Sequence, residues 1–277
     1  MSEVAVAFLA GVPVAALMAF VGSRLGLLDR PGAIKPHARP VPYTGGLALA
    51  ILLGGLGPPL GVPALAVAGA LLAWAVGFVD DARHLDPRLK LAAELPALVV
   101  GSFAIDLDGA VRLVAIVVGL FLINAFNVID GLDALAGGTA AIALAALLLL
   151  NAPLAALAAV ALGGVLAFLV FNLPPARLFL GDEGSLLLGY VLWLVPLAAF
   201  AAAPSARLLI VTGCLWAFPL VNAGFVVLAR IRARRPVLAG DRSHLYDVLH
   251  RRLGLRGTLL VCWTIGAAGA IGAAALG

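Results

Sequence analysis

Cysteine is almost missing from this chain: there are two in 277 residues, Cys214 and Cys262, each inside an apolar run. Cysteines placed like this support neither a disulfide framework nor a zinc site, which leaves them a packing role. Charge is scarce too, at 12% Asp, Glu, Lys and Arg, against about a quarter in soluble domains. No internal repeat with a period of roughly 20–50 residues recurs, and there is no low-complexity tail. Repeat arrays and disordered linkers are therefore excluded, and a single domain over 1–277 is the simplest division.

What is plentiful is apolar sequence, at 64% hydrophobic residues. A spanning helix needs about 20 largely apolar residues. Ten candidates fit: 3–22, 44–60, 62–79, 89–106, 110–127, 134–151, 153–172, 184–203, 206–229 and 257–276. The chain reads as an all-α integral membrane protein of about ten transmembrane helices. Glu3 rather than a basic stretch precedes the first run, and no small-residue cleavage site follows it, so it is expected to be a retained helix and not a signal peptide.

Short hairpins marked by Pro58-Pro59, Asp106–Gly109, Asn151–Pro153 and Pro204-Ser205 would share one side of the membrane. The longer segments 23–43, 80–88, 128–133, 173–183 and 230–256 would share the other. Of the 18 Lys and Arg, 16 lie in or within two residues of the longer segments, and only Arg112 and Arg207 lie near hairpins. The positive-inside rule puts the long segments, and with them any site, at the cytoplasmic face of the cell membrane with both termini outside. The net charge of +4 and pI near 9.6 then reflect topology and contact with anionic lipid headgroups, not nucleic acid.

Polar residues concentrate in those long segments. The stretch Asn124-Ala-Phe-Asn-Val-Ile-Asp-Gly-Leu-Asp133 ends an apolar run with two carboxamides and two carboxylates. On one unbroken helix, neighbours three apart would be adjacent but Asn124 and Asp133 would not. Gly131 offers a break that could gather all four. Polar groups in a spanning helix are costly and more often mark a site than packing.

Around this stretch stand four further groups. Thr44-Gly-Gly46 opens the second helix, where backbone amides could approach an anion with Lys35 and Arg39 nearby. Asp80-Asp81 closes the third: adjacent carboxylates repel, so one holds its proton or both share a cation, with a solvated helix end as the plain alternative. Lys90 begins the fourth helix against its dipole, which points to an anionic partner, although snorkelling explains it nearly as well. Arg177-Leu-Phe-Leu-Gly-Asp-Glu-Gly-Ser185 opens another helix, with Asp182 free to face a cation and Ser185 able to cap or to contact phosphate. Acids at 80–81, 130–133 and 182 on one membrane face suit a hard oxygen-bound cation such as Mg²⁺, held by one or two carboxylates and by substrate phosphates. Asp241-Arg-Ser-His244, after a glycine, mixes groups that could grip phosphate.

Taken together, Asp80-Asp81, Asn124-x-x-Asn127-x-x-Asp130-Gly-x-Asp133, Phe179-Leu-Gly-Asp182-x-Gly-Ser185 and Asp241-Arg-Ser-His244, in that order, resemble the polyprenyl-phosphate N-acetylhexosamine-1-phosphate transferases. The resemblance covers nearly the whole chain. It implies a reaction needing Mg²⁺, with Mn²⁺ as a substitute, in which the phosphate of a polyprenyl phosphate attacks the β-phosphorus of a UDP-sugar and releases UMP. It implies Asp182 and Asn127 as metal ligands and Phe179 stacked on uracil. Asp80 and Asp81 would orient or deprotonate the lipid phosphate, with Asp80 the favoured base, and Asp130 and Asp133 would position the nucleotide diphosphate. Lys35, Arg39, Lys90, Asn124, Arg242 and His244 would contact substrate. A homodimer is left open.

The pattern also departs from the family. Relatives commonly carry His-x-His-His where this chain has His244-Leu-Tyr-Asp247, with the next histidine at His250. Asn222 stands where relatives often have an acid, and the longer His-rich loop of the peptidoglycan branch is not found. These differences favour an N-acetylhexosamine donor over UDP-MurNAc-pentapeptide. A cation- or proton-coupled transporter is the competing class, but it predicts midplane acids and inverted halves. The CDP-alcohol phosphotransferases would show an Asp-rich signature that is absent.

Overall fold

The computed structural model describes residues 2–32, 39–234 and 244–276, so Lys35 and Arg242 lie outside the described residues. Eleven α-helices carry most of the described chain. They are α1 (Glu3–Leu25), α2 (Gly45–Leu56), α3 (Ala64–Arg83), α4 (Pro87–Ser102), α5 (Gly109–Asn127), α6 (Leu135–Leu149), α7 (Ala155–Asn172), α8 (Gly181–Ala202), α9 (Ala206–Leu215), α10 (Ala217–Arg232) and α11 (Leu245–Leu276). Every one of the ten expected segments contains a helix. By length and composition six can cross a membrane: α1, α3, α5, α7, α8 and α11. The protein is a multi-pass, mainly helical membrane protein.

Three of the ten expected spans, 44–60, 89–106 and 134–151, hold only α2, α4 and α6, of 12, 16 and 15 residues, which are too short to pass as full spans. Two further segments depart from straight spans. The run 206–229 is divided at Trp216 into α9 and α10, bent by 76° to each other, and the pair together could make a seventh span. Within α11, Gly254 adopts φ 67° and ψ 179°. Its left-handed φ separates a short helical stretch ahead of it from the apolar run behind it. A two-residue antiparallel ladder, β1 (Leu28–Asp29) with β2 (Val41–Pro42), was not expected from the sequence; it pairs Leu28 with Pro42 and Asp29 with Val41.

The core is organised around α8. Its apolar residues are buried on most sides, and its aromatic polar tips find partners on the neighbouring helices. Tyr190 Oη donates to Ala66 O of α3 at 3.1 Å and Trp193 Nε1 to Ala115 O of α5 at 3.0 Å. Those bonds satisfy groups that would be expensive to leave unpaired in an apolar interior. Small residues let the helices approach closely, as is usual where lipid and protein are equally apolar. Gly77 of α3 is the clearest case, because a Cβ there would overlap the backbone of Asp182 and Glu183. The contact brings the Asp80-Asp81 end of α3 against the first turn of α8.

Candidate active site

Residues from all five long connecting segments line one cavity of about 720 Å³. Its wall carries six carboxylates, on Asp29, Asp81, Asp130, Asp133, Asp182 and Asp247, beside Arg30 and the histidines His84, His244 and His250.

Asp182 enters the cavity from the first turn of α8, and its side chain is 35% exposed. Its Oδ2 lies 2.5 Å from Lys90 Nζ, and Lys90 also reaches Asp80 Oδ2 at 2.8 Å. Asn127, the last residue of α5, completes the cluster. Its Nδ2 donates to Asp182 Oδ1 at 2.9 Å and to Ser185 Oγ at 2.8 Å, while its Oδ1 accepts from Lys90 Nζ at 3.2 Å. Helices α3, α4, α5 and α8 thus meet at one charged knot beside the cavity.

The two acids at the end of α3 have different surroundings. Asp80 turns to Lys90 and also accepts from Leu85 N at 2.7 Å, closing the turn after the helix. It is absent from the cavity wall. Asp81 is on that wall, and its Oδ2 accepts from Glu183 N at 3.1 Å at the start of α8. Successive helical residues point about 100° apart, which is why one faces the knot and the other the cavity.

The stretch 124–133 is divided in the same way. α5 ends at Asn127, ahead of Gly131. A Cβ at Gly131 would run into the Tyr246 ring, so the glycine admits a neighbour instead of breaking a helix. Tyr246 Oη in turn donates to Val128 O at 3.3 Å. Asp130 and Asp133 face the cavity, and Asp133 Oδ2 accepts from Ala176 N at 2.9 Å. Asn124 does not reach the cavity: its Nδ2 donates to Glu94 Oε2 at 2.5 Å. Asp130 lies outside the spanning helices. Burial, followed by the negative charges of Asp182, Asp81 and Asp133, holds its carboxyl well above the usual range.

The glycine amides at the start of α2 are not offered to an external anion. Gly45 N donates to Phe179 O and Gly46 N to Leu180 O, each at 3.0 Å. Leu47 N donates at 2.8 Å to Glu183 Oε1, whose other oxygen accepts from Trp74 Nε1 at 3.1 Å. A buried carboxylate therefore occupies the helix end where an anion was expected, and it ties α2, α3 and α8 together. The same strand-like bonding, with Phe179 N donating to Pro42 O at 2.8 Å, presents the Phe179 side chain to the cavity. His244 also lines it and stacks on Tyr246, with ring centroids 5.1 Å apart and planes 5° from parallel. Arg39 is exposed and outside the wall.

Sequence reasoning missed several wall residues. His84 is exposed to the cavity by its left-handed backbone, φ 50°, at the end of α3. Asp29, Arg30 and Tyr43 come from the first loop, and their only signal was proximity to Thr44-Gly-Gly46. Asp247 and His250 stood out only as departures from a pattern.

The donors around Asp182 are carboxylate and amide oxygens, the hard donors that Mg²⁺ prefers. Among the described residues no group of three or more His, Cys, Asp or Glu is spaced to hold a metal by itself. That combination fits an ion bound through one or two protein oxygens, with substrate phosphates completing the shell. Both side chains are engaged in the knot, but Asp182 lines the cavity and Asn127 does not, so Asp182 is the better placed donor of the two.

Fold and cavity together define a multi-pass membrane protein with an acid-lined polar site, and the chain belongs to glycosyl transferase family 4. The profile of that family matches residues 63–200, from α3 to the end of α8. The chain is 30% identical over 242 residues to the undecaprenyl-phosphate alpha-N-acetylglucosaminyl 1-phosphate transferase of Thermotoga maritima, covering 84% of this chain and 76% of that one. It is 28% identical over 300 residues to the decaprenyl-phosphate N-acetylglucosaminephosphotransferase of Mycobacterium tuberculosis, covering 85% and 73%. The phospho-N-acetylmuramoyl-pentapeptide-transferase of Synechococcus elongatus is 34% identical over 222 residues, covering 67% and 55%.

Proposed function

We propose that the protein transfers N-acetylhexosamine 1-phosphate from a UDP-sugar to a polyprenyl phosphate, at the cytoplasmic face of the membrane, giving a polyprenyl-diphosphate sugar and UMP. The product would begin a cell-envelope glycan. The observation that carries this reading is the single cavity in which Asp81, Asp130, Asp133 and Asp182 meet beside the Lys90 knot. A diphosphate cannot enter a wall of carboxylates unaccompanied, because like charges in a partly desolvated site repel strongly. A divalent cation bound with the substrate removes that conflict, and when bound it would neutralise diphosphate oxygens and polarise the β-phosphorus. The names of the relatives support the acceptor class and the amino-sugar class.

The chain's own residues would align and neutralise charge, which is most of what phosphoryl transfer requires. Asp182 would hold the cation, with Asn127 keeping its carboxylate oriented. Lys90 would offset the negative charge of Asp80 and Asp182 and keep them fixed. Phe179 offers an aromatic face for the uracil. Asp81, which unlike Asp80 reaches the cavity, is the better placed of the pair to orient the attacking lipid phosphate. That phosphate is already largely ionised near neutral pH, so it needs little help from a base. In the step itself a phosphate oxygen of the lipid forms a bond to the β-phosphorus, the bond from that phosphorus to the bridging oxygen breaks, and UMP departs with the electron pair. The position of His244 at the wall, stacked on Tyr246, suits a contact with phosphate or sugar.

The test is turnover of purified protein with polyprenyl phosphate, Mg²⁺ and a panel of UDP-sugars. UMP should be released from a UDP-N-acetylhexosamine. A folded preparation that releases none from any donor would defeat the proposal. Turnover only of UDP-MurNAc-pentapeptide would defeat the donor assignment.

A further inference from the structure

Two polar residues away from the cavity wall hold each other inside the helix bundle. Glu94 of α4 is fully buried, and Asn124 of α5 donates to its Oε2 at 2.5 Å. The other contact of Asn124 Nδ2 is Leu120 O at 2.9 Å, one turn back on its own helix. Glu94 Oε1 has no hydrogen-bond partner among the described residues.

The place of this pair is what gives it meaning. Lys90 and Glu94 are four apart and share a face of α4, while Asn124 and Asn127 are three apart and share a face of α5. The two helices therefore meet in two rungs. The upper rung is Lys90 with Asn127, at 3.2 Å, and it opens onto Asp80 and Asp182. The lower rung is Glu94 with Asn124, about 6 Å deeper along the helix at 1.5 Å per residue. An apolar pair would fill that space at less cost than a buried carboxyl group with one oxygen unengaged. What a short hydrogen bond adds, and apolar packing does not, is a definite rotation and height of one helix against the other.

We propose that Glu94 and Asn124 form a positioning pair for Lys90, fixing the rotation of α4 so that the Lys90 ammonium stands between Asp80 and Asp182. Lys90 reaches those carboxylates at 2.8 and 2.5 Å. A shift of about 1 Å away from the two carboxylates would take the Asp80 contact out of hydrogen-bond range and the Asp182 contact to its edge, and errors of that size in a catalytic site cost about 100-fold in rate. Neither residue touches substrate. The effect on turnover rests on the reaction proposed for this cavity, whereas the effect on Lys90 itself does not.

The sequence contains only two lysines, Lys35 and Lys90. Limited acylation followed by peptide mass spectrometry thus compares Lys90 with a reference in the same molecule. In folded Glu94→Leu, labelling of Lys90 relative to Lys35 should rise several-fold. In Glu94→Gln, whose amide oxygen still accepts from Asn124, the ratio should stay as in the native protein. Asn124→Asp sets two carboxyl groups against each other and should raise the ratio, and adding Glu94→Gln to it should restore the ratio by reversing donor and acceptor. In the turnover assay Asn124→Asp should lower kcat about 100-fold with little change in the KM for the UDP-sugar, and the double variant should recover most of it. An unchanged Lys90 ratio in both Glu94→Leu and Asn124→Asp would overturn the proposal, as would a double variant that recovers neither labelling nor kcat. Should Glu94→Leu fail to fold, the Asn124→Asp pair of variants decides. Should the native protein release UMP from no donor, the proposed reaction falls while the labelling comparison still decides the role of the pair.

Discussion

Lys90 and Asp182 are separated by 92 residues of chain, and their charged atoms lie 2.5 Å apart. With Asp80 on the other side of the ammonium at 2.8 Å, one lysine holds together the ends of α3 and α8 where the two acidic motifs meet. A group that neutralises two carboxylates beside the cavity proposed to bind a diphosphate would set how many negative charges the substrate encounters.

Replacing Lys90 with methionine should leave those carboxylates facing each other unpaired. Release of UMP should fall by about 100-fold, the scale on which a single charge-stabilising contact acts on a transition state. Lys90→Arg should not restore it, because a planar fork cannot replace a compact ammonium between two acids. Steady-state kinetics check this, and near-native kcat in Lys90→Met would remove Lys90 from the site.

Asp182→Asn keeps the shape of the side chain and removes its charge. Turnover should no longer respond to Mg²⁺ across a titration. The rise in melting temperature that a cation gives by binding only the folded state should vanish as well. The thermal readout needs no turnover, so it tests the metal role by itself. A preserved Mg²⁺ shift in this variant would refute the assignment.

Asp130 has a carboxyl held well above its usual range by burial and then by Asp182, Asp81 and Asp133. A folded-state pKa above the unfolded value, about 3.9 for Asp, adds stability that is complete below the unfolded pKa and is lost as pH rises through the folded one. Cation-free protein should therefore melt lower as pH climbs from 4 toward neutrality. Asp130→Asn should flatten that profile and raise the melting temperature near pH 7 by about 2–4 °C, while turnover falls. A profile as steep as that of the native protein would show that Asp130 is not the residue responsible.

Glu183 joins three helices through one carboxylate, accepting from Leu47 N at 2.8 Å and Trp74 Nε1 at 3.1 Å. Glu183→Ala orphans both donors, each at about 1–3 kcal/mol when buried. A clear drop in melting temperature is expected, larger than for Glu183→Gln, which keeps an acceptor. Equal melting temperatures in Glu183→Ala and the native protein would contradict this tie.

Much of this was legible in the residues. Long apolar runs located the helices, and the polar segments 80–81, 124–133 and 179–185 all contribute to the cavity or to the knot beside it. Other features depended on neighbours distant in sequence. The bend at Trp216 is an exception, since Pro219 in the first turn of α10 has no N–H to bond Leu215 O. The role of Gly131 depends on Tyr246, a residue more than 100 positions away. The glycine amides of α2 looked available for an anion until Phe179, Leu180 and Glu183 took them.

The sequence by itself determined that this chain crosses a membrane several times and which short polar motifs stand at the ends of its helices. Both follow from local properties: hydropathy along a run, and the cost of polar groups within it. Only the tertiary structure decided which member of each motif meets the cavity: Asp81 rather than Asp80, and Asp130 and Asp133 rather than Asn124. The reason is rotation. Which face of a helix looks inward is set by how it packs against its neighbours, here by close contacts such as Gly77 against α8 and by paired side chains such as Lys90 with Asp182.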